Sequence, residues 1–277
     1  MTINCQGTLI DLTTPKVMGI LNITPDSFYD GGRYKKPNLI LKQTEKMLVE
    51  GATFIDIGGY SSRPDAIDIN KDVELRRILP IVHLILKEFP ETIISIDTFR
   101  HCVAKKCLEV GASMINDISG SRLDPKILKV VADFQVPYIA MHMRGTPQNM
   151  KNQTHYDDLL KDILFYFSEI TEIAKTRKIN DLIIDPGFGF AKTLDQNFKL
   201  LQHLNLFKNI ERPILVGLSR KSMIYQTLNT IPERALNGTT ALNMIALEHG
   251  ANILRVHDVK EAIECIQLFD ALKNNQF

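Results

Sequence analysis

Short apolar runs recur along the chain, and between them lie longer stretches whose apolar residues fall three and four apart. The runs are Val17–Leu21, Phe54–Ile57, Ile93–Ile96, Ser113–Ile115, Tyr138–Met141, Leu182–Ile184, Ile214–Gly217 and Ile253–Val256. Apolar character without strict alternation is what a parallel strand covered on both faces requires. The stretches between predict helices over Leu39–Glu50, Asp72–Glu88, His101–Val110, Asp124–Phe134, Tyr156–Lys178, Leu194–Leu204, Pro232–His249 and Val259–Lys273. Boundary signals support several of them. Pro37 and Asn38 precede the first, Gly111 follows the third, Asp124 and Pro125 open the fourth as cap and first turn, and Gly250 follows the seventh.

Strand–helix units of about 30 residues, repeated eight times without a linker, predict an α/β fold: a single-domain (β/α)8 TIM barrel over residues 1–277. Residues 1–16, with Thr13, Thr14 and Pro15, read as a short hairpin or a plug at the barrel's bottom. A doubly wound open sheet is the alternative, weakened in its dinucleotide-binding form by the absence of G-x-G-x-x-G in the first turn.

The C-terminal ends of barrel strands meet on one face, where such folds keep their chemistry. Here those ends carry Asn22, then Asp56 with 58–64, then Asp97-Thr98, then Asn116-Asp117. His142-Met143-Arg144-Gly145, Asp185-Pro186-Gly187, Ser219-Arg220-Lys221-Ser222, and Arg255 with His257 complete the ring. The first loop adds Thr24, Asp26, Ser27 and Asp30 within nine residues of Asn22. Asp97, Asn116 and Asp185 suit a flat heterocycle, since a buried carboxylate accepts two parallel N–H groups of a guanidine-like edge. Lys221 is a point donor for a ring carbonyl or nitrogen, and Arg255, His257, Arg63 and Asn22 suit an anion such as a phosphate. Ser222, where 219–222 open a helix, suits a carboxylate.

Each residue also has an ordinary reading. Asp97 and Asp185 serve equally as helix caps or ion-pair partners, His142 and His257 as core or surface imidazoles, and Asp26 and Asp30 as turn residues. Met141 and Phe190 serve equally as packing. Cations at a helix start are opposed by the helix dipole, which favours a functional role for Lys221.

Composition narrows the field. A net charge of +1 on 277 residues argues against nucleic acid or an anionic membrane surface as main partner. The 44% hydrophobic and 23% charged residues are those of an ordinary globular chain. Cys5, Cys102, Cys107 and Cys265 show no C-x-x-C spacing and read as reduced thiols. With no basic-then-apolar leader and no run of apolar residues long enough to span a bilayer, the chain reads as soluble and cytoplasmic.

Eight segments in order together resemble the dihydropteroate synthases, the folate-pathway enzymes that sulfonamides target. They are 19–28 (GILNITPDSF), 56–64 (DIGGYSSRP), 95–98 (SIDT), 115–120 (INDISG), 141–148 (MHMRGTPQ), 185–190 (DPGFGF), 217–222 (GLSRKS) and 255–258 (RVHD). The resemblance runs from about residue 17 to about 262. It implies the joining of 6-hydroxymethyl-7,8-dihydropterin diphosphate to 4-aminobenzoate, with release of pyrophosphate. It also implies that Asp97, Asn116, Asp185 and Lys221 hold the pterin edges, with Met141, Gly217 and Phe190 shaping its slot. Asn22 is implied as the Mg²⁺ ligand, with Arg63, Arg255 and His257 on the pyrophosphate. Asp30 and Asp97 would stabilise a pterin cation, and Phe28, Ser62, Pro64, Phe190, Lys221 and Ser222 would form the arylamine pocket. The direction of the Asp56 side chain is unsettled. Family members are usually homodimers, which makes one the expectation here.

Departures from the family's usual residues are Tyr60 for Glu, Ser62 for Thr, Tyr29 for Ser, Ala191 for Gly and Phe188 for a smaller aliphatic. The last two are expected to narrow the slot beside Asp185 or to alter sulfonamide sensitivity. The competing functions are a pterin-binding methyltransferase domain acting with a corrinoid protein, and a noncatalytic pterin-binding or regulatory barrel. The first does not need Arg63, Ser222 or the Arg255/His257 pair, and the intact first loop with Asn22 speaks against the second.

Overall fold

The computed structural model describes residues 1–23, 29–30, 33–34, 37–61 and 68–274. Eight parallel strands form its centre: Lys16–Asn22 (β3), Phe54–Gly58 (β6), Ile93–Asp97 (β7), Met114–Asp117 (β8), Tyr138–Met141 (β9), Leu182–Asp185 (β10), Leu215–Val216 (β11) and Ile253–Val256 (β12). Thr2–Cys5 (β1) pairs antiparallel with Thr8–Asp11 (β2), and Tyr29–Asp30 (β4) with Arg33–Tyr34 (β5). Around the sheet run Pro37–Val49 (α1), Lys71–Glu88 (α2), His101–Glu109 (α3), Ile127–Phe134 (α4), Leu159–Thr176 (α5), Leu194–Gln202 (α6), Ser222–Thr227 (α7), Leu236–Glu248 (α8) and Val259–Asn274 (α9).

Sequential pairing runs β3–β6–β7–β8–β9–β10 on one side, and β11–β12–β3 on the other. One isolated bridge, Ile184 with Ile214, joins β10 to the start of β11, backed by the Ile184 amide donating to the Pro213 carbonyl at 2.9 Å. The chain is thus a TIM barrel, as the apolar runs predict, with its seam between β10 and β11.

Three apolar clusters fill it. The largest packs the outward faces of the strands against the helices, with Leu21, Ile57, Ile96, Ile115, Ile184 and Val216 on the strand side. Inside the lower barrel, Met18, Phe54, Met114, Ile139, Ile183, Leu215 and Ile253 meet Ile3, Cys5 and Leu12 of the amino-terminal hairpin. The hairpin therefore closes the end away from the strand C-termini. The third cluster, Ile118, Met141, Met143, Met150 and Ala191 with Phe99, Leu123 and Phe190 against it, lies at the upper mouth.

Caps set several helix starts. Asn70 accepts from the Val73 amide at 2.9 Å, Asp158 caps α5, and Thr193 with Gln196 forms a reciprocal capping box on α6. Asp124 does not cap α4 as expected, since that helix starts at Ile127. Its carboxylate is shared: Oδ1 accepts from the Lys126 amide just before α4 at 3.3 Å, while Oδ2 accepts from the His101 amide of α3 at 2.9 Å and lies 2.6 Å from the His101 ring. The reason is that Arg100, at the N-cap of α3, supplies no side-chain oxygen for those first amides. The predicted helix from Pro232 is a 3-10 turn at Pro232–Arg234 followed by α8.

Candidate active site

Arg255, on the last barrel strand, reaches across the upper barrel. Its Nε donates to Asp56 Oδ2 at 2.6 Å and its Nη2 to Asp97 Oδ2 at 2.8 Å. The Asn116 amide donates to the same Asp56 oxygen at 3.0 Å. β6, β7, β8 and β12 are therefore tied through side chains, and Asp56 points into the barrel. Burial raises the pKa of Asp97 to about 7, against the pull of Arg255 and with the charges of Asp56 and Glu74 adding to it.

The opposite wall comes from β10 and the turn after β11. Asp185 is buried, and its Oδ1 accepts from the Gly187 amide at 2.8 Å. Burial raises its pKa, while Lys221 draws it back. Lys221 Nζ donates to the Phe188 carbonyl and stands 4.8 Å from the centre of the Phe190 ring. Burial lowers the Lys221 pKa to about 8, opposed by Asp185 and assisted by Arg255. Gly217 keeps the space between the two cations open: a methyl there would lie 3.9 Å from Arg255 Cβ and 4.0 Å from Lys221 Nζ. Met141 and Phe190 share the apolar cluster at the mouth. The result is a slot with an apolar wall and a floor of two cations and three carboxylates, suited to a flat ring with N–H donors along its edge.

Asn22, at the end of β3, is half-buried. Its Oδ1 and Asp97 Oδ2 would each lie 3.6 Å from a methyl placed at Gly58. His257 Nδ1 lies 3.0 Å from Ser219 Oγ, which also accepts from the His257 amide at 3.2 Å. Ser222 is the first residue of α7. Arg220, at φ 57, is held on Asp258 by bonds of 3.1 and 2.6 Å. Phe28, Ser62, Arg63, Pro64 and the side chain of Asp30 lie outside the described residues.

One strand-end residue has a structural duty instead. Asp117 accepts from Ser119, Ser121 and the Tyr138 hydroxyl, which fixes the turn after β8. The Phe188 ring does not line the slot; it is fully buried in the strand–helix layer, and the backbone carbonyl is what meets Lys221. Ala191, at φ 49, takes a left-handed backbone that glycine adopts more easily.

The motifs pass over two supports of the slot. Glu74, fully buried on α2, accepts from Thr98 Oγ1 and Arg100 Nη1 at 2.6 Å each, just past Asp97. Arg77 on the same helix donates to the Gly59 carbonyl at 2.9 Å, and Tyr60 packs edge-on to Phe99 with Gln148 donating to its hydroxyl at 2.8 Å. The second support is Lys192, whose Nζ lies 3.1 Å from His142 Nδ1 and 3.0 Å from the Gly187 and Phe190 carbonyls. The usable signal for Glu74 is a charged residue at an apolar position of its helix, whereas Lys192 lies in a loop that has no such pattern.

Against known proteins, the profile of pterin binding enzymes matches residues 18–257. A dihydropteroate synthase of Escherichia coli (strain K12) is 43% identical over 275 residues, covering 98% of this chain and 96% of the relative. The chain belongs to the dihydropteroate synthase family. It is a transferase enzyme of folate synthesis. The crystal structure of the Yersinia pestis dihydropteroate synthase with a sulfonamide drug complex superimposes with a TM-score of 0.92 at 42% identity, covering 99% of this chain and 100% of that one. The Xanthomonas albilineans dihydropteroate synthase, solved with 4-aminobenzoic acid, gives 0.90 at 36% identity and 98% coverage of both chains. Solved with 7,8-dihydropteroate, it gives 0.88 at 34% identity and 99% coverage of both. Among the described residues, no helix is long and apolar enough to cross a membrane.

Proposed function

We propose that this synthase joins 6-hydroxymethyl-7,8-dihydropterin diphosphate to 4-aminobenzoate, forming 7,8-dihydropteroate and pyrophosphate by a dissociative, Mg²⁺-assisted substitution. The arrangement of Asp97, Asn116, Asp185 and Lys221 around the open floor at Gly217 is the observation that supports it most. Asp185 and Asp97 accept N–H groups of the pterin edge, Asn116 donates or accepts beside them, and Lys221 donates to a ring oxygen or nitrogen. Met141 and Phe190 cover the ring faces. The C–O bond to the diphosphate breaks with its electron pair on the leaving oxygen, and the carboxylates of Asp97 and Asp30 stabilise the pterin cation left behind. The arylamine lone pair then forms the C–N bond, and its proton passes to solvent.

Arg255 offers the leaving group the N–H donors not used on Asp56 and Asp97, and Arg63 and His257 complete that end. Mg²⁺ fits beside them, since the Asn22 amide oxygen is a hard donor and this ion is commonly held by few protein ligands plus substrate phosphates. When bound it neutralises charge on the departing pyrophosphate. Phe28, Ser62, Pro64, Phe190, Lys221 and Ser222 take the arylamine, with the α7 start facing its carboxylate. The assembly proposed is a cytoplasmic homodimer.

Purified protein supplied with the dihydropterin diphosphate and Mg²⁺ should release pyrophosphate and yield dihydropteroate only when 4-aminobenzoate is present. Tight pterin binding with no release under any condition would overturn the proposal and favour a pterin-binding methyltransferase domain.

A further inference from the structure

We infer that Lys192 is a positioning residue for the pterin slot, its buried amine tying the Gly187 and Phe190 carbonyls to the His142 ring. The inference rests on the pterin reading above and adds to it a residue that touches neither substrate.

The segment from Asp185 to α6 is conformationally expensive. Gly187, Gly189 and Ala191 take φ of 73, 80 and 49 within five residues. The two glycines take such a backbone without strain, whereas Ala191 holds it only where its surroundings over-determine it. Asp185 Oδ1 takes the Gly187 amide at 2.8 Å, Asn197 Oδ1 the Gly189 amide at 2.6 Å, and the Gly187 carbonyl the Phe190 amide at 3.1 Å. The carbonyls go to lysines. Lys221 takes Phe188 from the slot side, and Lys192 takes Gly187 and Phe190 from behind.

Lys192 is 9% exposed, and its three hydrogen-bond neighbours are all uncharged acceptors. A lysine ordinarily carries its charge to water, so burying one against carbonyls is costly. The ammonium has three N–H donors, matching the two carbonyls and the ring nitrogen. A neutral amine has two, and would leave one acceptor bare. His142 suits this role: burial, with Lys192, Arg122 and Arg144 nearby, pushes its pKa well below the ordinary value, so the ring is neutral and Nδ1 can accept. Burial also lowers the Lys192 pKa to about 7, with Asp185 opposing and Lys221 and Arg144 reinforcing the shift. The loop is thus fastened most fully when Lys192 is charged, and it carries Asp185 at one end and Phe190 near the other.

The test compares wild type with Lys192→Met, which keeps the stem and removes the amine. Pyrophosphate release would be followed from about pH 6 to about pH 9 while each substrate is varied in turn. We expect KM for the pterin diphosphate to rise about tenfold, with a smaller rise in KM for 4-aminobenzoate through Phe190. In the wild type log kcat/KM for the pterin should show a step down of about tenfold as Lys192 loses its proton, ahead of the steeper fall set by Lys221, and the variant should lack that step. An unchanged pterin KM, or a step that persists in the variant, overturns the inference while leaving the synthase reading intact.

Should Lys192→Met not fold, amide exchange in the wild type decides instead. Protection of Gly189 and Phe190, corrected for base catalysis, should fall about tenfold between about pH 6.5 and about pH 8.5 relative to α5 amides, and constant protection overturns the inference. A folded wild type that binds no pterin overturns the synthase reading and the inference's pterin role together.

Discussion

Arg255 holds two carboxylates with two of its five N–H donors, so its removal reaches beyond any anion it binds. Arg255→Ala would leave Asp56, fully buried, and Asp97 without their cation. We expect a loss of about 3–5 kcal/mol of folding stability, the scale of a broken buried pair, measurable by urea unfolding at neutral pH. A loss below about 1 kcal/mol would show that water compensates the two carboxylates. The same cluster sets a pH window. In the proposed reaction Asp97 has to be ionised to accept donors, and its pKa is raised to about 7, so kcat/KM for the pterin should fall as pH drops below that value. Lys221 must be charged, and its pKa is lowered to about 8, so activity should fall again above it. Asp97→Asn should flatten the acid limb, and a limb that survives the change would assign it elsewhere. At this scale the sequence placed Asp97, Asn116, Asp185, Lys221 and Arg255 correctly on one face, because a barrel sends all its strand ends there. It could not orient Asp56 or reveal Lys192, since strand twist decides the first and burial against backbone carbonyls decides the second.

Among the elements, the turn between β10 and α6 is the most demanding. A methyl on Gly187 would lie 2.0 Å from the His142 carbonyl, at a φ of 73 that disfavours any side chain. Neither the β9 backbone nor the barrel can yield that distance cheaply. Gly187→Ala should cost about 3 kcal/mol or more and weaken pterin binding with it, tested by thermal melting alongside calorimetry. A variant with wild-type melting would mean that the turn relaxes locally. The strands and most helices were readable from periodicity alone, with ends shifted by a few residues. Asp124 shows why ends are harder: a carboxylate near a helix start serves whichever amides lie nearest in space, and here those are the Lys126 amide and the first amide of α3. The α2 network escaped for a different reason: Glu74 and Arg77 fall on the apolar stripe of Ile78, Ile81, Val82 and Ile85, but the partners they meet there come only with the packing of the strand ends.

Across the whole molecule, stability and chemistry occupy opposite ends of the barrel. Leu12 is fully buried beneath Met18, Phe54 and Leu215, far from the slot. Leu12→Ala should cost about 2–4 kcal/mol in denaturant unfolding and leave both KM values close to wild type, and a shifted KM would show that the bottom plug communicates with the top. The closure of the barrel leads to one more consequence. β11 is two residues long and a single bridge, Ile184 to Ile214, completes the circle, while the neighbouring strands pair over longer registers. Asp185 stands on one bank of that gap and Lys221 follows the strand on the other. A heterocycle gripped by both would be a rivet through the weakest joint of a hoop, so occupancy should reinforce the closure that the Ile184–Ile214 bridge begins.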